Sequence, residues 1–480
     1  MKFSLLNEPN LEFANSNTSL CPKDGIRRLT PYDMGLVRPQ SVKLGVIGRS
    51  DSVDPILEWI EKGRHFIEAK KSKQVKLFPS FMGFQTDNGF CSTIEFDDSY
   101  IRKIKNTEFD EIYKAESEHA IIERAVDLYL ADIKFLAKNK DPDVILVVVP
   151  ETFIQRLNPK AKEEAEEEEA EELPDDDGAL DEKYLEVNFR RMLKAAAMKH
   201  HIPIQIVRDR ITKPSGEMQD EASIAWNFYT ALYYKASGTP WGLTKNASSI
   251  VCYAGISFYK SRDRSTTQTS IAQIFNELGK GVILRGEDPV KVSKQDPIPH
   301  LTDEQAFRLL DRGLAEYKEA IDIFPQRLVV HKTSNFTDDE SAGFIAAAKK
   351  NNIAALDLVT IHQRTQFRLF RDGRYPPLRG SLFSFDNHNY LLYTRGSVPY
   401  FETYPGKYIP HPLQIRFFSN DESPEIICNE ILGLTKMNWN NTQFDRRFPI
   451  TIECARKVGD ILKYLPLGEQ EIELRYSFYM

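Results

Sequence analysis

Apolar residues along the chain fall into two kinds of run. The stretches VKLGVIG at 42–48, DVILVVVP at 143–150 and IPIQIV at 202–207 are unbroken and lack in-out alternation, which predicts strands covered on both faces. Between and after them, DPILEWIEKG, FDEIYKAESEHAIIERAVDLYLADIKFLA, KYLEVNFRRMLKAAAMKH and EASIAWNFYTALYYKA carry helical spacing. Buried strands separated by helices predict a parallel sheet with helices on both sides, a Rossmann-like layout. Neither G-x-G-x-x-G nor G-x-x-x-x-G-K-[ST] follows the first strand, so a dinucleotide or P-loop site is not expected.

The pattern changes after Trp241. SIVCYAGISFYKS, GVILRGE, RLVVHKTSNF, NYLLYTRG and PLQIRFF read as strands. TDEQAFRLLDRGLAEYKEAI, DDESAGFIAAAKKNN, SPEIICNEILGLTK and ITIECARKVGDILKYL read as helices, the second capped by Asp338 or Asp339. Mixed strands with helices around a central sheet suit an RNase H-like fold. With 480 residues the chain exceeds one hydrophobic core, and two large α/β lobes are expected.

Charge changes this picture less than it first promises. The formal net charge is -7, whereas phosphate binders usually carry a basic footprint. The segment 160–183, KAKEEAEEEEAEELPDDDGALDEK, accounts for the excess and reads as a solvated acidic insertion. The remainder is slightly basic, so a polyanionic ligand stays open. Five scattered cysteines form no C-x-x-C pair and read as buried thiols. No apolar run is long enough to span a bilayer and no signal peptide opens the chain, which leaves the cytoplasm as the expected compartment.

Candidate chemistry gathers before Trp241. Arg190 and Lys194 are spaced i, i+4 and rise from one helix face. Gln205 follows in a strand, and Lys235 ends the next helix. In a parallel α/β sheet, strand ends and adjoining helix termini converge on one crevice. Taken singly, each of these residues reads as ordinary solvated surface.

The order R-x-x-x-K, a strand Gln, then a helix containing Asn227 and ending YYKASGTPW resembles the MID domain of Argonaute proteins. Downstream, FPQRLVVHKTSNF, LYTRGSVPYF, LTKMNWNNTQFDRRFPITIECARKVGDIL and SFYM resemble the PIWI domain. The resemblance implies an N-terminal extension at 1–38, a Rossmann-like MID domain at 39–240 carrying the insertion 160–183, and an RNase H-like PIWI domain at 241–480. It also implies that Arg190, Lys194, Gln205 and Lys235 hold the 5′-phosphate of a guide strand, with Mg2+ at Gln205 and the Met480 carboxylate. With MID-like sequence inside the first fifty residues and no PAZ-like segment, the match is to short prokaryotic Argonautes.

Such a PIWI domain cuts only with a set of four residues, mostly carboxylates, that holds two metal ions. By resemblance those positions carry Ser257 in YAGISF, Lys332 in HKT and Arg456 in ECARKVG, with Glu287 in RGED as a remnant. Cations at these places would repel a metal and could take backbone phosphate instead. The expected function is therefore guide binding, with small RNA favoured over DNA, and recognition of a single-stranded DNA target without cleavage. The resemblance implies an APAZ-containing effector partner of TIR, sirtuin-like or nuclease type, with NAD depletion in defence against plasmids or phage and oligomerisation on target binding. Two rivals stand beside it: a nuclease using displaced carboxylates such as Asp263, Glu287 or Asp338, and a nucleic-acid-free scaffold.

Overall fold

The computed structural model describes residues 2–157, 185–213, 219–244, 250–262, 265–275, 283–286, 288–292, 297–322, 324–362, 365–406, 409–465, 473 and 475–480. The acidic segment 160–183, Asp263 and Glu287 lie outside the described residues. The first strand, β1 (Lys2–Leu5), joins a sheet formed far downstream. Next come β2 (Ser41–Arg49), β3 (Thr93–Glu95), β4 (Ile101–Ile104), β5 (Val144–Val149) and β6 (Ile204–Arg208), which form an all-parallel sheet. Its order is β6-β5-β2, with β3 and β4 pairing different stretches of β2.

The helices that cover this sheet include α1 (Ser50–Gly63), α2 (Glu118–Asn139), α3 (Leu185–Ala197) and α4 (Glu221–Lys235). Along β5, Leu146 and Val148 pack into the core that holds Val53 and Ile56 of α1 and Trp226 of α4. Their neighbours Ile145, Val147 and Val149 pack with Ile133 of α2 and Phe189 and Leu193 of α3. Both faces are thus apolar, which is why the strand reads as an unbroken run. One expectation is corrected: the helical stretch around 109–137 is not continuous. Asn106–Glu111 forms a separate short helix, and α2 starts afresh where the Ser117 hydroxyl accepts a hydrogen bond from Ala120 N at 3.2 Å.

The second sheet contains β7 (Val251–Lys260), β8 (Thr267–Phe275), β9 (Ile283–Arg285), β10 (Arg327–Lys332), β11 (Ala355–His362), β12 (Ser381–Ser384), β13 (Asn389–Leu392) and β14 (Leu413–Ser419). Nine strands lie in the order β1-β12-β13-β14-β11-β10-β7-β8-β9. Only the β7/β10 and β10/β11 pairs are parallel, so the sheet is mixed. On one face α5 (Asp303–Ile321) and α6 (Asp338–Lys350) pack against Cys252, Ala254, Leu328 and Val330. On the other, α7 (Pro424–Leu434) and α8 (Ile450–Leu462) pack with Tyr253, Val329 and Val359. A Cβ at Gly255 would meet the Thr451 carbonyl oxygen at 2.2 Å, so glycine is what lets α8 lie directly on β7.

The opening thirty residues, on which the sequence is silent, are folded onto this framework. Besides β1, the pair Leu11–Glu12 bonds to Gly242–Leu243, and Pro22–Leu29 is helical. Glu8 lies in a buried ion pair with Arg379 at 2.9 Å and Lys436 at 2.9 Å, which ties this segment to the second lobe.

Candidate nucleic-acid interface

Helix α4 sets the site. Asp220 caps its start by accepting from Ser223 N at 3.3 Å, and Trp226, Tyr229 and Tyr233 are buried along its length. Tyr229 stacks on Phe81 at 5.1 Å and on Phe84 at 5.0 Å. The helix closes with Gly238 N bonding Tyr233 O and Ser237 N bonding Tyr234 O, each at 2.9 Å, around Ser237 at φ 71°. This is a Schellman ending with serine in the left-handed position. It leaves Lys235 as the last helical residue, 2% exposed, before Trp241 anchors the next segment through a hydrogen bond to Lys436 O at 3.0 Å.

The four residues expected at a phosphate pocket come close together. The Lys235 ammonium donates to Gln205 Oε1 at 2.5 Å and to a Met480 main-chain oxygen at 3.4 Å. Lys194 donates to that same Met480 oxygen and to Tyr479 O at 3.5 Å. Arg190 sits one turn before Lys194 on α3 and near enough to disfavour protonation of both lysines. Arg191, pointing elsewhere, pairs with Asp460 of α8 at 2.5 Å.

Electrostatically the cluster is one-sided. Burial, then the neighbouring cations Arg190 and Lys457, bring the Lys235 ammonium down to about 7. Burial, followed by Lys235, Arg190, Lys457 and Arg191, holds Lys194 well below the usual lysine range. Among the described residues neither lysine has a carboxylate side chain as partner. Packing several cations together in low dielectric is costly unless an anion joins them. The arrangement leaves room in its charge balance for an anion.

The expected Mg2+ fits this geometry poorly. Its donors would be Gln205 Oε1 and a Met480 oxygen, and the Lys235 ammonium already hydrogen-bonds both. Magnesium favours carboxylate and phosphate oxygens in an octahedral shell.

Sequence reading missed the contribution of α8. Lys457, on α8, contributes to the same positive field and is held by Glu453 at 3.0 Å. Although burial alone would raise it, Arg446 and Lys457 pull the Glu453 carboxyl down to about 2. The signal available was the i, i+4 spacing of Glu453 and Lys457 in ECARK. Asn227 links the lobes by accepting from Thr442 N at 3.1 Å and Thr442 Oγ1 at 3.0 Å.

At the RNase H-like centre, Ser257 lies on β7 and Lys332 ends β10, opposite Ile256 in the parallel register. Arg456, on α8, stands over the Phe448 ring at 5.8 Å. The expectation that Lys332 could take phosphate is corrected. Lys332 and Glu340 are both fully buried and pair at 2.5 and 2.6 Å, with Asn335 O also accepting from Lys332 at 3.1 Å. Rings of Phe258 and Phe336 flank the ammonium. Burial, partly offset by Glu340, lowers the lysine from its ordinary range.

Glu340 was also missed. It closes the α6 capping box with Thr337 and accepts from Leu301 N at 3.0 Å and Thr337 N at 2.9 Å. The T-x-x-E spacing was visible, yet Asp338 or Asp339 was expected as cap; Thr337 is the cap. Asp338 is exposed in the first turn of α6. Among the described residues no three His, Cys, Asp or Glu side chains converge as metal ligands.

These two centres sit in a MID-PIWI architecture, the fold of Argonaute and PIWI-like proteins. No known family profile matches the chain. The curated Argonaute of Aquifex aeolicus is 22% identical over 278 residues, covering 56% of this chain and 35% of that protein. The structure of Clostridium butyricum Argonaute bound to a guide DNA and a 19-mer target DNA matches with a TM-score of 0.66 at 16% identity, over 97% of this chain and 53% of that one. Drosophila Piwi matches with a TM-score of 0.61 at 12% identity, over 99% of this chain and 56% of that one. The chain spans about half the length of these solved relatives.

Proposed function

We propose that this protein anchors the 5′-phosphorylated end of a guide strand, small RNA in preference to DNA, and uses the anchored strand to recognise a single-stranded DNA target. The observation that carries this reading is the pocket of Arg190, Lys194 and Lys235, in which neither lysine has a carboxylate side chain as partner among the described residues. Gln205 orients Lys235, and Lys457 adds charge from the second lobe. A terminal phosphate carries more charge than an internal one and presents oxygens to several cations at once. Base pairing then supplies the sequence information while the protein holds backbone and end.

The same reading makes the protein a binder that does not cut. Support comes from the RNase H-like centre, where Lys332 is buried against Glu340 and Arg456 stands where the resemblance expects an Asp or His. Target recognition then acts through an associated protein, for which we propose an APAZ-containing effector of TIR, sirtuin-like or nuclease type, with NAD depletion as the output in defence against plasmids or phage. The decisive experiment is to isolate the protein from its own cells and sequence what it carries. Short 5′-phosphorylated strands of uniform length, with a co-purifying effector, are the expected result. A protein free of nucleic acid that binds 5′-phosphate and 5′-hydroxyl strands equally would overturn the reading.

A further inference from the structure

One carboxylate on α8 is used three times. Glu453 lies in the first turn of that helix, and its Oε1 accepts from Asn438 Nδ2 at 2.6 Å, Arg446 Nη1 at 2.6 Å and Lys457 Nζ at 3.0 Å. Its side chain is 15% exposed, and against the effect of burial Arg446 and Lys457 keep the carboxyl ionised at neutral pH. Two of the three donors are firmly placed. Asn438 is buried, and Asn438 and Arg446 belong to residues 435–449, a stretch pinned on several sides. Trp241 donates to Lys436 O at 3.0 Å, Asn227 accepts from Thr442, Thr394 donates to Arg447 O at 2.6 Å, and Glu8 pairs with Lys436 at 2.9 Å.

Lys457 is the less constrained donor. Its side chain is 39% exposed, and among the described residues Glu453 is its only hydrogen-bond partner. A lysine ammonium on a flexible four-carbon stem turns to water unless something holds it. The charge of Lys457 nonetheless reaches the phosphate pocket, where it disfavours protonation of both Lys194 and Lys235. Those two lysines have holders of their own, main-chain oxygens of Tyr479 and Met480 for Lys194 and Gln205 for Lys235. Glu453, at i, i+4 spacing, is the holder for Lys457. The pinned stretch 435–449 thus fixes Glu453, and Glu453 fixes where this cation stands.

We propose that Glu453 is a positioning residue of the phosphate pocket, holding Lys457 where its ammonium meets the 5′-phosphate of the bound strand. The inference rests on the anchoring function proposed above. It also has a sign. Were Glu453 felt only as a negative charge, neutralising it would strengthen the binding of an anion nearby. As the holder of Lys457, it has the opposite effect: neutralising it weakens binding of a terminal phosphate and leaves the rest of the strand alone.

The test uses the full chain and a single-stranded RNA of one sequence, prepared with a 5′-phosphate and with a 5′-hydroxyl. Lys457→Met should lower the preference for the 5′-phosphate about tenfold and Glu453→Gln about fivefold, the scale of one charged hydrogen bond, with 5′-hydroxyl affinity unchanged. Adding Glu453→Gln to Lys457→Met should lower the preference no further, because the carboxylate then has no lysine to place. Arg446→Gln/Glu453→Gln removes opposite charges together and spares the fold an uncompensated guanidinium. It should show the same loss as Glu453→Gln, and it decides the matter if that single variant does not fold. A preference that stays the same or rises on loss of Glu453, an equal weakening of both RNAs, or full additivity in the Glu453→Gln/Lys457→Met pair would overturn the proposal. Unaltered protein that binds the two RNAs equally would instead refute the anchoring function, and the placing of a cation for that phosphate with it.

Discussion

Lys235 and Lys332 are both buried lysines at the end of a regular element, and the difference between them separates the proposed binding site from a structural plug. Lys332 has a carboxylate of its own, Glu340, and its charge is consumed within the fold. Lys235 has the Gln205 amide oxygen and a Met480 main-chain oxygen, and no carboxylate side chain among the described residues. Two further cations, Arg190 and Lys457, press on it. Burial alone therefore says little about function; what matters is whether the counter-charge is built in or left to a ligand.

The comparison breaks most visibly at Lys332. Removing one member of a buried pair leaves the other uncompensated, so Lys332→Met or Glu340→Leu should cost about 3–5 kcal/mol of stability in urea unfolding. The double variant should recover part of that loss, because Glu340 also serves Leu301 N and Thr337 N. Equal stability of the Lys332→Met single variant and the unaltered protein would show that the pair is not closed as described.

The second lysine behaves oppositely. Lys194→Met should leave the fold intact or slightly stabilised, since it removes a cation from a crowded cluster. Affinity for 5′-phosphorylated strands should fall by about a hundredfold, in line with a charged hydrogen bond of roughly 1.5–3 kcal/mol, and 5′-hydroxyl strands should be unaffected. A uniform loss for both strands would point to general damage instead of a phosphate contact.

Proton linkage sharpens the contrast. The unfolded chain holds the Lys235 proton to about 10.5, whereas the folded pocket releases it near 7. Between those values the unfolded state binds more protons, so the ligand-free protein should gain stability as pH rises from about 7 toward 10. Phosphate binding favours the charged lysine, so affinity should decline over the same range. Both trends should shrink in Lys235→Met, and their persistence would assign them to other groups. The smallest effect is expected from chelation: with Lys235 bonded to both Gln205 and Met480 oxygens, EDTA should change strand affinity by less than about twofold.

The fold was legible because β2, β5 and β6 are buried on both faces and advertise it as unbroken apolar runs. The N-terminal thirty residues were not, since strands of two to four residues paired hundreds of positions away leave no periodic trace. At the site, Arg190, Lys194, Gln205 and Lys235 could be named from their order along the chain, and the structure brings them within reach of one another. Lys457 and Glu340 were missed, because their spacing shows a local pair or cap and not the distant group each one serves. Each acts through a partner fixed by tertiary packing: the phosphate pocket of the other lobe for Lys457, and the end of β10 for Glu340. The same blindness misjudged Lys332, whose position reads as a lost metal ligand while its burial against a capping carboxylate appears only once α6 is docked.

Helix α8 places Lys457 toward the phosphate pocket and, one residue earlier, Arg456 beside Phe448. Consecutive residues on an α-helix are about 100° apart around a stiff rod. With Gly255 letting that rod rest directly on β7, it has no soft layer beneath it. Both cations thus ride on one rigid body, and a shift of α8 that moved Lys457 would move Arg456 as well.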